Sequence, residues 1–322
     1  MNDNTPRANL AFVFPGQGSQ SVGMVTALAE AFPAVRERFD MASEVLGLDL
    51  WELVSDGPEA ELNRTQNTQP ALLAASVATW DAWLASGGPR PRLMAGHSFG
   101  EYTALVCAGA LDYATAVALV ADRGRFMQDA VPAGQGAMAA VLGLDLEALR
   151  EVCAEASAEN GVCACANLNA PGQIVIAGSS AAVERACELA SARGAKRAMM
   201  LPVSVPAHCA LMQPAASRLA ERLAGIAITA PDTAIVHNAD VDTHTQGDAI
   251  RAALVAQLHS PVRWIETIEG FAADGITQVC ECGPGKVLGA LIKRIDRGMT
   301  CHGLGTPDGL RAAADALSGE QS

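Results

Sequence analysis

Apolar residues arrive along this chain in two rhythms, and the alternation between them predicts its architecture. Short unbroken apolar runs such as Leu10-Ala11-Phe12-Val13-Phe14 and Leu93-Met94-Ala95 read as strands covered on both faces. Longer stretches at helical spacing stand between them, over residues 24–46, from Pro70 as a first-turn residue to about 84, and over 113–129. Asp56-Gly57-Pro58, the polar run 63–69 and Gly87-Gly88-Pro89 punctuate them as loops and turns. Strand, helices, strand, helix is the order of an α/β domain built on a parallel sheet.

From 131 to 203 the rhythm changes. A strand at 137–142, a helix at 146–159, and strands at 162–168 and 173–177 are followed by a helix at 181–193 and a strand at 196–201. That order is β-α-β-β-α-β, the split unit of a ferredoxin-like layer. The expected organisation is a large α/β-hydrolase-like domain from residues 1–130 and 204–322, with residues 131–203 inserted as a small ferredoxin-like domain. Beyond the insertion the pattern gives a helix at 210–224, a strand at 235–238, and a loop at 259–264 into a helix ending near 273. A last core strand follows at 279–281, then Gly283-Pro284-Gly285-Lys286 turns into a final helix, with a disordered tail from Ser318.

Composition narrows the class. The chain has 322 residues, 50% hydrophobic and 18% charged, enough for a large core. No apolar run reaches the ~18 residues of a membrane span. The polar start, Met1 to Arg7, lacks the apolar segment of a signal peptide, so a cytoplasmic location is expected. Nine cysteines scattered through apolar segments fit reduced, buried thiols. The pairs Cys163/Cys165 and Cys280/Cys282 lack the spacing of metal ligands, and neither metal nor cofactor is expected. A net charge of −13 without a basic run argues against nucleic acid. Membrane association is not expected either. An acidic protein partner would need a local basic patch, for which Lys196, Arg197, Lys286, Lys293, Arg294 and Arg297 are the candidates. No unexplained apolar stripe is evident, so a monomer is expected.

The densest chemistry lies at Gly96-His97-Ser98-Phe99-Gly100, a G-x-S-x-G pattern between an apolar run and an Ala-rich one. A strand turning sharply into a helix forces its corner residue into strained backbone, and glycine on each side removes the Cβ atoms that would collide. Ser98 is then held out of the fold at the positive end of the next helix. His97 is adjacent but points elsewhere. The loop Pro15-Gly16-Gln17-Gly18-Ser19-Gln20 follows a strand. It is a poor dinucleotide fingerprint, because the third glycine would fall at Ser21. Either Gln17 or Gln20 offers a neutral donor to a reacting oxygen, or both are surface loop residues.

Arg123 and Arg125 project about 200° apart on their predicted helix. Arg123 is flanked by Leu119, Val120, Phe126 and Met127, Arg125 by Ala121, Asp122, Gln128 and Asp129. Arg123 therefore faces inward, where a guanidinium needs either a partner from elsewhere in the fold or an anionic ligand. His208, in a loop stiffened by Pro202 and Pro206, stands just ahead of a helix and reads as a structural residue or a base.

Together these segments resemble the bacterial malonyl-CoA:acyl carrier protein transacylase family. The resemblance rests on FPGQGSQ (14–20), TQPAL (68–72), GHSFGEY (96–102), RGRFMQ (123–128), NAPGQIVIAG (169–178), PVSVPAHCALM (202–212) and ECGPGKVL (281–288), in the family's order. One departure is Ala207, where the family often has serine. The resemblance implies Ser98 as nucleophile and His208 as general base. The backbone N–H groups of Gln17 and Phe99 would form the oxyanion hole, and Arg123 would hold the malonyl carboxylate. Gln257 falls where a carbonyl orients the histidine, and Asn167 and Asn169 would line the cleft beside the small domain. It further implies malonyl-CoA and acyl carrier protein as partners. The rivals are a serine hydrolase, which calls for a carboxylate on His208 and has no use for Arg123, a scaffold with a dead site, and a module of a polyketide assembly line.

Overall fold

β1 (Arg7–Phe14) shows why an unbroken apolar run makes a central strand. Leu10, Phe12 and Phe14 face one apolar cluster while Ala11 and Val13 face another, so each successive side chain finds a core. The computed structural model describes residues 6–203 and 205–319. Most of the polar N-terminal stretch and the end of the predicted tail lie outside those residues.

Four helices follow β1: α1 (Thr26–Ala31), α2 (Ala34–Leu46), α3 (Leu50–Ser55) and α4 (Glu59–Leu62). The periodic stretch 24–46 is thus two helices. Pro33 has no N–H and disfavours helical backbone in the residue before it, and Phe32 is extended there. Met41 and Val45 of α2, with Leu48 just beyond, remain exposed at 36–42%, a short apolar strip that the sequence reading did not foresee.

α5 (Thr65–Ala85) starts five residues ahead of Pro70, so the polar run 63–69 supplies its first turn and Pro70 lies inside it. Thr68 Oγ1 donates to the carbonyl oxygens of Leu62 and Arg64, tying this start to α4. The helix is apolar around its whole circumference and is buried accordingly. β2 (Pro91–Gly96), α6 (Gly100–Cys107) and α7 (Tyr113–Ala130) complete the first half of the large layer.

The segment between them and the C-terminal half contains β3 (Gly136–Leu142), α8 (Leu146–Asn160), β4 (Cys163–Ala170), β5 (Gln173–Ser179), α9 (Ser180–Ala192) and β6 (Arg197–Met200). Its sheet is antiparallel in the order β4-β5-β3-β6. This is the ferredoxin-like strand order for a β-α-β-β-α-β unit. α10 (Gln213–Ala224), β7 (Ala234–Val236), α11 (Gly247–His259), α12 (Trp264–Ala273), β8 (Gln278–Glu281) and α13 (Val287–Ile295) return to the large layer.

The chain does not stop there. β9 (Thr300–Gly303) pairs with β8 at the sheet's edge, and α14 (Pro307–Gly319) packs behind it, so Ser318 is helical. The large sheet is parallel throughout, in the order β7-β2-β1-β8-β9. Its strands therefore release their loops at one shared edge. Among the described residues no helix is long and apolar enough to cross a membrane, and no three His, Cys, Asp or Glu side chains converge as a metal-holding group. The paired cysteines 163/165 and 280/282 lie on or just past β4 and β8 as free thiols.

Candidate active site

Phe14 and Gly96 are register partners at the ends of β1 and β2, so the glutamine loop and the serine corner emerge side by side. Ser98 has φ +54°, the strained left-handed backbone that the glycine spacing predicts. A Cβ on Gly96 would lie 1.8 Å from the carbonyl carbon of Gly100, and one on Gly100 would lie 2.4 Å from the Phe14 carbonyl oxygen. Neither neighbour is a flexible side chain, so both positions admit glycine alone.

The corner is braced from β7. Asn238 Oδ1 accepts the Ser98 N–H at 2.8 Å, and Asn238 Nδ2 donates to the Gly96 carbonyl at 2.7 Å. The amides of His97 and Gly100 are also taken, by the carbonyls of Phe14 and His97. That of Phe99 has no acceptor among the described residues, and it opens α6, where the helix dipole favours negative charge.

His208 comes from 110 residues away. Its Nε2 lies 2.8 Å from Ser98 Oγ, and its Nδ1 lies 2.8 Å from the Gln257 backbone carbonyl. A carbonyl oxygen only accepts, so Nδ1 carries the proton and Nε2 is free to take the serine's. Among the described residues no carboxylate touches the imidazole, which is the arrangement a transacylase reading expects and a Ser-His-Asp hydrolase does not. His208 holds its ring with a left-handed backbone at φ +62° and is buried.

Burial, and then the nearby Arg123 charge, push the His208 imidazole down to about 3. A lowered value keeps the neutral, base-competent form present to lower pH. We expect kcat/KM, which reports the free enzyme, to stay flat from pH 8 to well below 6.5. A fall centred near 6.5 would show that the ring is solvated in solution.

Arg123 is 1% exposed, whereas Arg125 stands outside against Asp122. Arg123 Nη2 donates to Gln257 Oε1 at 3.0 Å, its guanidinium lies over the Tyr102 ring, and its Nε has no partner among the described residues. The buried cation is thus met by an uncharged acceptor. It lines one cleft of about 410 Å³ with Ser98, His208, Gln17, Phe99, Asn167 and Asn169.

Gln257 does not line the cleft. It is fully buried in α11 and works from behind, its carbonyl on His208 and its side chain on Arg123. Gln20 braces its own loop, accepting from the Gly18 N–H and donating to Asn63. His97 turns away from Ser98 yet lines the same cleft, where its Nε2 meets Asn169 Oδ1 at 2.8 Å. That bond joins the serine corner to β4 of the small layer. Arg294, a candidate for a basic docking patch, is spent on Gln173 and the Pro171 carbonyl. A wider groove of about 690 Å³ between α10 and α11 contains none of the candidate residues.

A serine at a strained strand–helix corner, with an imidazole poised on its hydroxyl and free amides beside it, defines a serine-dependent acyl-transfer site on an α/β scaffold. Comparison with known proteins narrows the class: the profile of the acyl transferase domain family matches residues 11–300. The chain belongs to that family. It is 55% identical over 305 residues to the malonyl CoA-acyl carrier protein transacylase of Escherichia coli K12, covering 95% of this chain and 98% of the relative. The Bacillus subtilis 168 protein of the same name is 46% identical over 97% of this chain and 98% of its own. Among solved structures, the Coxiella burnetii malonyl CoA-acyl carrier protein transacylase superposes with TM-score 0.94 at 51% identity, covering 96% and 97% of the two chains. A malonyl-transacylase held in complex with its type II PKS acyl-carrier protein gives TM-score 0.94 at 52% identity, covering 95% and 99%.

Proposed function

We propose that this chain transfers a malonyl group from malonyl-CoA to the phosphopantetheine thiol of acyl carrier protein, through a malonyl ester on Ser98, to supply extender units for fatty-acid synthesis. The observation that carries the reading is the buried Arg123, with no carboxylate in contact among the described residues and opening into the cleft of the Ser98–His208 pair. The relatives named as malonyl transacylases, and the neighbour solved with its carrier, support the same reaction.

In the first half-reaction His208 Nε2 takes the Ser98 proton as Oγ attacks the thioester carbonyl. The oxyanion forms against the backbone N–H groups of Gln17 and Phe99, each contributing about 3–4 kcal/mol to the barrier reduction. Collapse releases the CoA thiol, which takes the proton from His208. The carrier's thiol then gives its proton to His208 and attacks the ester by the reverse path. Arg123 pairs with the malonyl carboxylate in both halves, and Asn167 and Asn169 line the cleft from β4.

Intact mass of the protein tests this. Incubation with malonyl-CoA should add one malonyl group, and acyl carrier protein should clear it as malonyl-carrier. An adduct that water clears as fast without carrier would make the chain a thioesterase.

A further inference from the structure

Behind the cleft, and outside its lining, lies a buried carboxylate that the mechanism above does not use. Glu101, in the first turn of α6, is 0% exposed. Its Oε1 accepts from His237 Nδ1 at 2.6 Å, and its Oε2 accepts from the backbone N–H of Asn238 at 3.1 Å and from Gln257 Nε2. The Gln257 amide also donates to the Ser98 carbonyl at 2.8 Å. Both of its acceptors lack a proton to give, so reversing the amide would set oxygen against oxygen at Glu101 and donor against donor at Arg123. One amide orientation satisfies every partner, and it directs Oε1 at the guanidinium.

We infer that Glu101 is a positioning residue for acyl-group selectivity: it locks the Gln257 amide, and through it the Arg123 fork, in the orientation that receives a substrate carboxylate. The inference rests on the malonyl transfer proposed above. His237 completes the device by holding the carboxylate's other oxygen. Burial lowers the basicity of His237, but the bond and charge of Glu101, with Asp240 and Asp242, outweigh it and the net direction is upward. Among the described residues the hydrogen bonds of Glu101 go to His237, Asn238 and Gln257 and none to Arg123, so Glu101 sets the direction of the guanidinium's bond through the Gln257 amide. Bond direction, rather than Glu101's charge, is then what selectivity needs.

Two variants separate these roles. Glu101→Met keeps the length and replaces both carboxylate oxygens by a weakly accepting thioether. Glu101→Gln keeps an oxygen for Asn238 and Gln257 and turns its NH2 to a neutral His237. Transfer from malonyl-CoA and from acetyl-CoA to acyl carrier protein is measured in each, with Arg123→Ala as control. Expected for Glu101→Met is a fall of roughly 30-fold or more in malonyl kcat/KM, mainly through KM, with acetyl transfer changed less than about 3-fold. Glu101→Gln retains the wild-type malonyl-to-acetyl ratio within about 3-fold.

Parallel loss of both substrates in Glu101→Met, an intact ratio there, or a lost ratio in Glu101→Gln overturns the inference. Should circular dichroism show the Met variant unfolded, Glu101→Asp replaces it. That variant keeps the charge but withdraws the oxygens by one methylene, so a ratio left intact overturns the lock. A wild-type chain without malonyl preference would instead remove the functional reading and the inference with it.

Discussion

Ser98→Ala leaves no acyl-enzyme: incubated with malonyl-CoA, the variant keeps its unmodified mass, and transfer to carrier falls by roughly 10⁴-fold or more. The size of the effect follows from what remains. Without Oγ no covalent intermediate forms, and His208 can only direct a water or the carrier thiol, both lacking the fixed approach of the corner serine. The amides of Gln17 and Phe99 still polarise a carbonyl, which sets the residual rate. The fold should persist, because the hydrogen bonds that brace position 98 use its backbone N–H and carbonyl and not its hydroxyl. The strained φ of +54° is kept as well, at a steric cost that alanine and serine share because each carries an unbranched Cβ. A malonyl mass increment on the alanine variant would place the nucleophile elsewhere.

Arg123→Ala changes which acyl group is chosen. A guanidinium fork on a carboxylate makes two charge-assisted bonds of about 1.5–3 kcal/mol each, so malonyl kcat/KM should fall by roughly 10² to 10⁴-fold. Acetyl-CoA, which has no carboxylate to offer, gains nothing from the cation and should be used as well as before or better. The preference then narrows or inverts. Arg123 also helps to depress His208, so its loss raises the imidazole's pKa and moves the acid limb of kcat/KM to higher pH. Unchanged selectivity with an unmoved acid limb would deny Arg123 both roles.

What the sequence made legible was local constraint. The serine corner could be read because glycine at i−2 and i+2 is demanded by atoms of the same turn and of Phe14. Arg123 could be assigned inward because its helical neighbours alone are apolar. The ferredoxin-like unit followed from element order. His208 and Gln257 were placed by resemblance, since their partners lie far away in sequence.

The role of Glu101 is illegible for the same reason. A glutamate opening a helix is usually solvated, and only His237, Asn238 and Gln257, more than a hundred residues distant, make its burial tolerable. The tight turn directs His97 away from Ser98, but where it points is not legible, because its partner, Asn169, belongs to the other layer. Helical spacing runs on across Pro33 and hides the break there, and β9 is illegible because a four-residue edge strand with no fully buried position leaves little apolar signature.

The anchor of the His208 ring is a main-chain oxygen of α11. No exchange of side chain at position 257 can delete that acceptor, whereas the same residue's amide, like Arg123 itself, is open to replacement. Evolution or a designer can therefore retune the cargo this scaffold accepts while the histidine keeps its anchor, a separation that a carboxylate-anchored histidine does not offer.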